Sequence, residues 1–110
     1  MKRLRYFFDP GSGVCLWAAN DSARAAFGYA VDHDQLPLST ATKARLTELV
    51  TRFDESIDWN HPTERGPRWT EAAEKDFLEG ADLALQRLMD ELEPADFEIV
   101  AEHRSAGAHQ

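Results

Sequence analysis

The sequence has only one cysteine, Cys15, and no long apolar run. A single cysteine excludes an internal disulfide and a multi-cysteine metal site. A helix that crosses a membrane needs about 20 mostly apolar residues, and no such stretch exists. The short apolar segment near the start ends at Asp9 and Pro10, too early for a signal peptide. These absences predict a cytoplasmic protein in which Cys15, among apolar neighbours, is a buried and unreactive thiol.

Motifs for catalysis and for nucleotide binding are also missing. Gly11-Ser12-Gly13 is a turn with no helix after it, so it does not form a phosphate-binding loop. Basic residues interleaved with aromatic ones are absent apart from Arg3 and Arg5, which disfavours nucleic-acid binding. There is no His-x-x-x-His helix and no nucleophile elbow. We therefore assign no cofactor, no catalytic residue and no metal ligand, and we favour a role other than that of an enzyme.

Negative charge is concentrated in one part of the chain. The 110 residues carry a net charge of −8. Residues 1–70 hold nine acidic and nine basic residues, whereas residues 71–110 hold eleven acidic and three basic ones. Such a field repels nucleic acid and anionic membranes and attracts basic proteins. The alternative is a solvated helix face that keeps the protein soluble.

Alternating patterns and turn residues predict three strands. Residues 2–8 alternate, with Leu4, Tyr6 and Phe8 on one face. A turn-rich segment leads to a second strand at 14–19, and residues 96–102 form the third. Between the second strand and the rest of the chain, residues 23–27 predict a short helix.

Apolar residues at helical spacing predict two main helices, over residues 40–56 and 71–92. Ser39 or Thr40 can cap the first of them and Thr70 the second. Gly80 lies inside the second helix, where a missing side chain permits close packing. The residues between the two helices, 58–69, predict a long loop.

These elements predict one α+β domain over residues 1–104 and a disordered tail over residues 105–110. We expect a three-stranded antiparallel sheet of order 2-1-3 with the two main helices packed on one face, in the topology ββ(α)ααβ. The third strand is placed beside the first because Arg3 and Arg5 would then oppose Glu98 and Glu102.

This arrangement leaves an apolar outer sheet face, formed by Phe7, Cys15, Trp17 and Val100. Such a face is not stable in open water. Either residues 20–38 fold over it or a partner covers it.

Two groups of residues are candidates for function. Asp32-His33-Asp34 could supply an acid-base pair, or a metal site with His61, although the same residues are common in surface turns. Two tryptophans, a histidine and an arginine surround the long loop, at Trp59, His61, Arg68 and Trp69. Tryptophan and arginine are frequent at interface hot spots, although the tryptophans could instead cover the core. His103 and His109, near the tail, are given no role.

The last helix carries a predicted acidic face, made of Asp76, Glu79 and Asp82 with Asp90 and Glu91. Carboxylates on one helix face would steer a basic partner towards it. The predicted partner-binding residues are therefore Trp59, His61, Arg68, Trp69, Asp76, Glu79 and Asp82.

The segments LWAAND, FGY and LPLS, with FDESIDWNHP and the later DFEI, resemble those of a group of short bacterial proteins. Small acidic proteins of this kind look like immunity or antitoxin-type inhibitors. The resemblance implies a protein-binding module that inhibits a basic protein. The alternatives are a small enzyme or metal-binding protein that uses His33 and His61, and a homodimer that buries the outer sheet face or a strand edge. No nucleic acid or membrane partner is expected.

Overall fold

Four strands and three α-helices make up the part of the chain that the computed structural model describes, which is residues 1–9, 11–56 and 69–103. Two short 3₁₀ turns lie at His33–Gln35 and Glu93–Ala95. In chain order the elements are β1 (Lys2–Tyr6), β2 (Leu16–Ala18), α1 (Asp21–Phe27), β3 (Ala30–Val31), α2 (Thr40–Glu55), α3 (Glu71–Leu92) and β4 (Phe97–Ala101). The predicted α+β class is confirmed. Across the same residues, no helix is both long and apolar enough to cross a membrane.

The sheet has the order β3-β2-β1-β4 and is mixed. Strand β1 runs antiparallel to β2, and β2 runs antiparallel to β3, but β4 runs parallel to β1. The last strand lies beside the first, as predicted. The three-stranded antiparallel sheet was wrong in two respects, because a fourth strand is present and because β4 points the other way.

The path of the two main helices explains the direction of β4. The backbone amide of Ser39, at the start of α2, donates to Glu91, near the end of α3, over 2.6 Å. The antiparallel helix pair therefore brings the chain back to the end of the molecule at which α2 begins. That end is also where β1 starts, because the Lys2 amide donates to the Asp96 carbonyl over 3.2 Å. Strand β4 thus leaves from the same end as β1 and runs parallel to it.

Side-chain caps fix where the helices start. Asn20, Ser39 and Thr70 each accept a hydrogen bond from the backbone amide three residues later, at 3.0, 3.2 and 3.1 Å. These bonds satisfy amides that have no partner within the helix. Helix α1 ends at Gly28, whose φ of 80° suits glycine. The caps predicted at Ser39 and Thr70 are confirmed.

The core lies between the sheet and the two main helices. Leu4, Tyr6 and Leu16 of the sheet are fully buried. From the helices, the buried apolar residues are Leu46, Leu49, Phe77, Ala81, Ala84, Leu85, Leu88 and Leu92. The residues of α3 among them recur at helical spacing and form its apolar stripe. A Cβ atom on Gly80 would lie 3.5 Å from Leu49 Cδ2, so the two helices come close together at this glycine.

The outer sheet face differs from the prediction at Cys15. This residue is 1% exposed and belongs to the core cluster instead of the outer face. Burial raises the pKa of its thiol to about 12, which agrees with the predicted unreactive cysteine.

The remaining outer face is covered largely by its own aromatic rings. The rings of Phe7 and Trp17 stack with centroids 4.8 Å apart, and the guanidinium of Arg5 lies 4.9 Å from the centre of the Phe7 ring. Segment 20–38 contributes Tyr29, whose ring centroid is 5.3 Å from that of Trp17. As a result only 7% of Trp17 is exposed.

The charge pairs predicted between β1 and β4 are present on this face. Arg3 forms an ion pair with Glu98, and Arg5 binds Glu102 through Nε and Nη2, with Nη2 2.6 Å from Oε1. The hydrogen bonds from Arg5 lower the pKa of the Glu102 carboxyl. Opposite charges on neighbouring strands thus help to hold β4 beside β1.

Candidate partner-binding surface

The candidate surface is the side of α3 that faces away from the sheet. The predicted residues Asp76, Glu79 and Asp82 follow one another at intervals of three. Each step of three residues rotates the side-chain direction by about 60° around a helix. The three carboxylates therefore spread across the exposed side of α3, with Glu79 in the middle.

Asp76 lies on the edge of this surface that is nearest to α2. Its Oδ2 is 3.0 Å from Nη2 of Arg52, a residue of α2. The Arg52 guanidinium also lies 5.8 Å from the centre of the Phe77 ring. The Asp76 carboxylate therefore already has a cationic neighbour within the protein.

Asp82 lies on the opposite edge, nearest to β4, where its Oδ1 is 2.6 Å from Nε2 of His103. The His103 side chain is only 4% exposed, and its ring centroid is 5.0 Å from that of Tyr6. Sequence reasoning gave His103 no role, which was wrong in structural terms. Alternation along β4 does not give this position, because the strand ends at Ala101, which is exposed, and His103 lies beyond it.

Glu79 and Asp90 are freer than the other carboxylates of the predicted acidic face. Both are exposed, and neither forms an ion pair within the described parts of the chain. Leu83 lies between them along the helix and is 61% exposed. Leu83 could not be recognised as exposed from the sequence, because it is adjacent to the apolar stripe of the same helix.

Glu91, which was predicted to belong to the acidic face, also makes contacts within the protein. Its carboxylate accepts hydrogen bonds from the Ser39 amide, the Ser39 hydroxyl and the Thr42 hydroxyl. These hydrogen bonds lower the pKa of the Glu91 carboxyl, and the bond from the Thr42 hydroxyl has the largest effect. Glu91 thus joins the end of α3 to the start of α2.

Trp69 lies just before α3 and is half-buried. Its ring centroid is 4.7 Å from that of Phe77 and 6.2 Å from that of Phe53. Its indole Nε1 is buried and has no hydrogen-bond acceptor among the residues that the structure describes. Trp69 therefore packs over one end of the core. The other residues predicted around the long loop, Trp59, His61 and Arg68, lie outside the described residues.

The side chains of Asp32, His33 and Asp34 do not converge on one point. His33 is buried, and its Nε2 lies 2.9 Å from the Thr47 hydroxyl of α2. The Asp32 carboxylate accepts from the Asp34 amide over 2.9 Å and so caps its own turn. Within residues 1–9, 11–56 and 69–103, no group of three or more His, Cys, Asp or Glu side chains is arranged to hold a metal ion.

Comparison with known proteins identifies a family. A comparison with curated proteins gives no match. The family model described as Serratia CdiI immunity protein-like matches residues 2–100, which include all of the strands and helices described above except the last residue of β4. The earlier resemblance to immunity-type proteins is supported by this match. The chain belongs to the Serratia CdiI immunity protein-like family.

Proposed function

We propose that this protein is an immunity protein that binds a basic toxin and inhibits it. The observation that carries the proposal is the family match over residues 2–100. The concentration of charge supports a basic partner, because residues 71–110 hold eleven acidic and three basic residues. A surface of one sign attracts a partner of the opposite sign and speeds their association. We also propose a cytoplasmic location, as expected from the sequence.

The proposed contact surface combines α3 with the segment before it. Glu79 is the most available carboxylate of the predicted set, because Asp76 and Asp82 already have the neighbours Arg52 and His103. We keep all three carboxylates in the surface, since a partner can approach the exposed side of α3 on which they lie. The ion pair between Asp76 and Arg52 is largely exposed, and such pairs are worth about 1 kcal/mol or less, so a stronger cationic partner can compete for Asp76.

The remaining proposed contacts are aromatic and basic residues of segment 59–69. Trp69 packs on Phe77 and is still partly exposed, so its outer edge can contribute contact area. Trp59, His61 and Arg68 are retained as proposals on the basis of residue type alone.

The experiment is capture followed by a growth test. The tagged protein is incubated with lysate of the native host, and bound proteins are eluted over a salt gradient and identified by mass spectrometry. The captured protein is then produced in cells with and without this chain. We expect a basic protein that elutes at high salt, stops growth when it is produced alone and is harmless when the two are produced together. A captured protein that is equally harmless in both cases would contradict the proposal.

A pair of charge-matched variants tests the role of α3. The double variant Glu79→Lys/Asp90→Lys reverses two exposed carboxylates on α3. The control Asp9→Lys/Asp34→Lys makes the same change in net charge at exposed sites elsewhere. We expect the α3 variant to lower the association rate at low salt much more than the control. Equal effects of the two variants would mean that net charge, and not this surface, attracts the toxin.

A further inference from the structure

We propose that Leu83 is the apolar anchor of the toxin-binding surface, and that the toxin receives it in an apolar pocket rimmed by lysine or arginine side chains. The inference rests on the proposed function and specifies the chemistry of the contact. Leu83 is exposed and lies in the middle of α3. Of the helices, α3 has the largest negative net charge.

Leu83 remains exposed in the described part of the protein. Three large apolar side chains there are exposed, namely Met1, Tyr29 and Leu83. Met1 is the first residue, and Tyr29 packs on Trp17. Leu83 instead points outward from a helix in which Leu85, Leu88 and Leu92 are buried and Leu78 is partly buried. Fully burying a leucine side chain is worth about 1.5–3 kcal/mol, so an exposed one is a site at which a partner gains free energy.

The surroundings of Leu83 indicate which partner fits. Glu79 lies one helical turn before it and Asp90 two turns after it. A shallow groove beside Leu83 is lined by Arg45, Leu83, Gln86, Arg87, Asp90 and Glu91. The cation of Arg45 is already paired with Glu48 at 2.9 Å. The cation of Arg87 acts on Glu91, because it helps to lower the pKa of that carboxyl. Glu79 and Asp90 form no ion pair in the described part of the chain, so these two carboxylates near Leu83 are the anions that match basic groups around an apolar pocket.

A second copy of this chain fits this surface less well than a basic toxin. Each copy carries a net charge of −8, so two copies repel each other at low salt. A basic protein is attracted by the same field. The contacts around the centre of an interface exclude water from it, and the residues around Leu83 can do the same for the central contact.

The test separates the anchor from the surrounding charges by kinetics. The probe is the toxin that the wild-type chain captures and inhibits, and binding is measured by surface plasmon resonance. Leu83→Ala keeps a good helix former and removes most of the apolar side chain. We expect binding about thirtyfold weaker, mainly through faster dissociation. Glu79→Lys should instead slow association, with an effect that fades as salt rises. Circular dichroism melts verify that each variant is folded, and Tyr29→Ala, which truncates an exposed aromatic side chain on the other sheet face, is the matched control.

Each outcome either supports the inference or overturns it. Weaker binding for Leu83→Ala, with Tyr29→Ala close to wild type, supports the anchor. Wild-type affinity for Leu83→Ala, with the toxin still inhibited, overturns the anchor and leaves the proposed function intact. A wild-type chain that inhibits no toxin overturns both. Light scattering that gives a dimer for the wild type and a monomer for Leu83→Ala would assign the surface to a second copy, which also overturns the inference.

Discussion

The contact between Glu91 and the start of α2 should contribute to the stability of the fold. Both a mutation of Glu91 and a fall in pH should reduce this contribution, because each removes the charge of its carboxylate. Glu91 accepts from the Ser39 amide over 2.6 Å and from the hydroxyls of Ser39 and Thr42. The perturbation is Glu91→Gln, which keeps the shape of the side chain but removes its charge. A hydrogen bond to a charged group contributes about 1.5–3 kcal/mol. Because glutamine retains one acceptor oxygen, we expect the lower figure, a loss of about 1.5 kcal/mol in the free energy of unfolding at pH 7.

The pH dependence follows from the direction of the pKa shift. The hydrogen bonds lower the pKa of Glu91 in the folded state below that of the unfolded chain, which is about 4.3. A carboxyl group of this kind contributes its full stability above the unfolded pKa and loses that stability as the pH falls through the folded pKa. The difference between wild type and Glu91→Gln should therefore shrink as the pH is lowered from 7 towards 3. Glu102 titrates in the same window, but it does so in both proteins, so its contribution cancels.

The assay is urea denaturation followed by tryptophan fluorescence at several pH values. Asp90→Asn is the control, because Asp90 is the exposed neighbour of Glu91, and the change should cost less than about 0.5 kcal/mol. Equal stabilities of wild type and Glu91→Gln at pH 7 would refute the structural role of Glu91. A difference that stays constant down to pH 3 would refute the attribution to its charge.

Three further predictions concern the core. Tyr6→Phe removes a buried hydroxyl that donates to the Ala81 carbonyl over 3.0 Å, and it should cost about 1 kcal/mol in urea denaturation; unchanged stability would mean that this bond contributes nothing. Gly80→Ala should raise stability by about 0.5–1 kcal/mol, because the added Cβ meets Leu49 at an ordinary 3.5 Å, and a loss of stability would show that the contact is too tight. Cys15, with its pKa raised to about 12, should be about one part in ten thousand thiolate at pH 8, so a thiol reagent should modify it only after denaturation.

Local sequence patterns were sufficient to locate the two main helices. They were predicted over residues 40–56 and 71–92, and they are observed at Thr40–Glu55 and Glu71–Leu92. Caps and helical periodicity act over three or four residues, so they can be read without the fold. The same patterns could not identify β3, because its two residues, Ala30 and Val31, are too few to alternate.

The arrangement of the sheet was only partly contained in the sequence. The opposite charges of Arg3 and Glu98 identified which strands are neighbours, and the ion pair is present. Charge pairing did not determine strand direction, because arginines and glutamates spaced two apart can oppose each other in a parallel or an antiparallel pair. The direction of β4 follows from the path of the two main helices. They return the chain to the end of the sheet at which β1 begins, so β4 runs parallel to β1.

The tertiary structure decides which carboxylates of the candidate surface are bonded within the protein and which are available to a partner. The sequence determined that α3 is acidic on one side, because charge and helical spacing are local properties. It did not separate Glu79, which remains available, from Asp82 and Glu91, which bind His103 and Ser39 at distances of 21 and 52 residues along the chain. Contacts between residues so far apart depend on how the elements pack against one another, and the same packing decides that Leu83 remains exposed while Leu85 is buried.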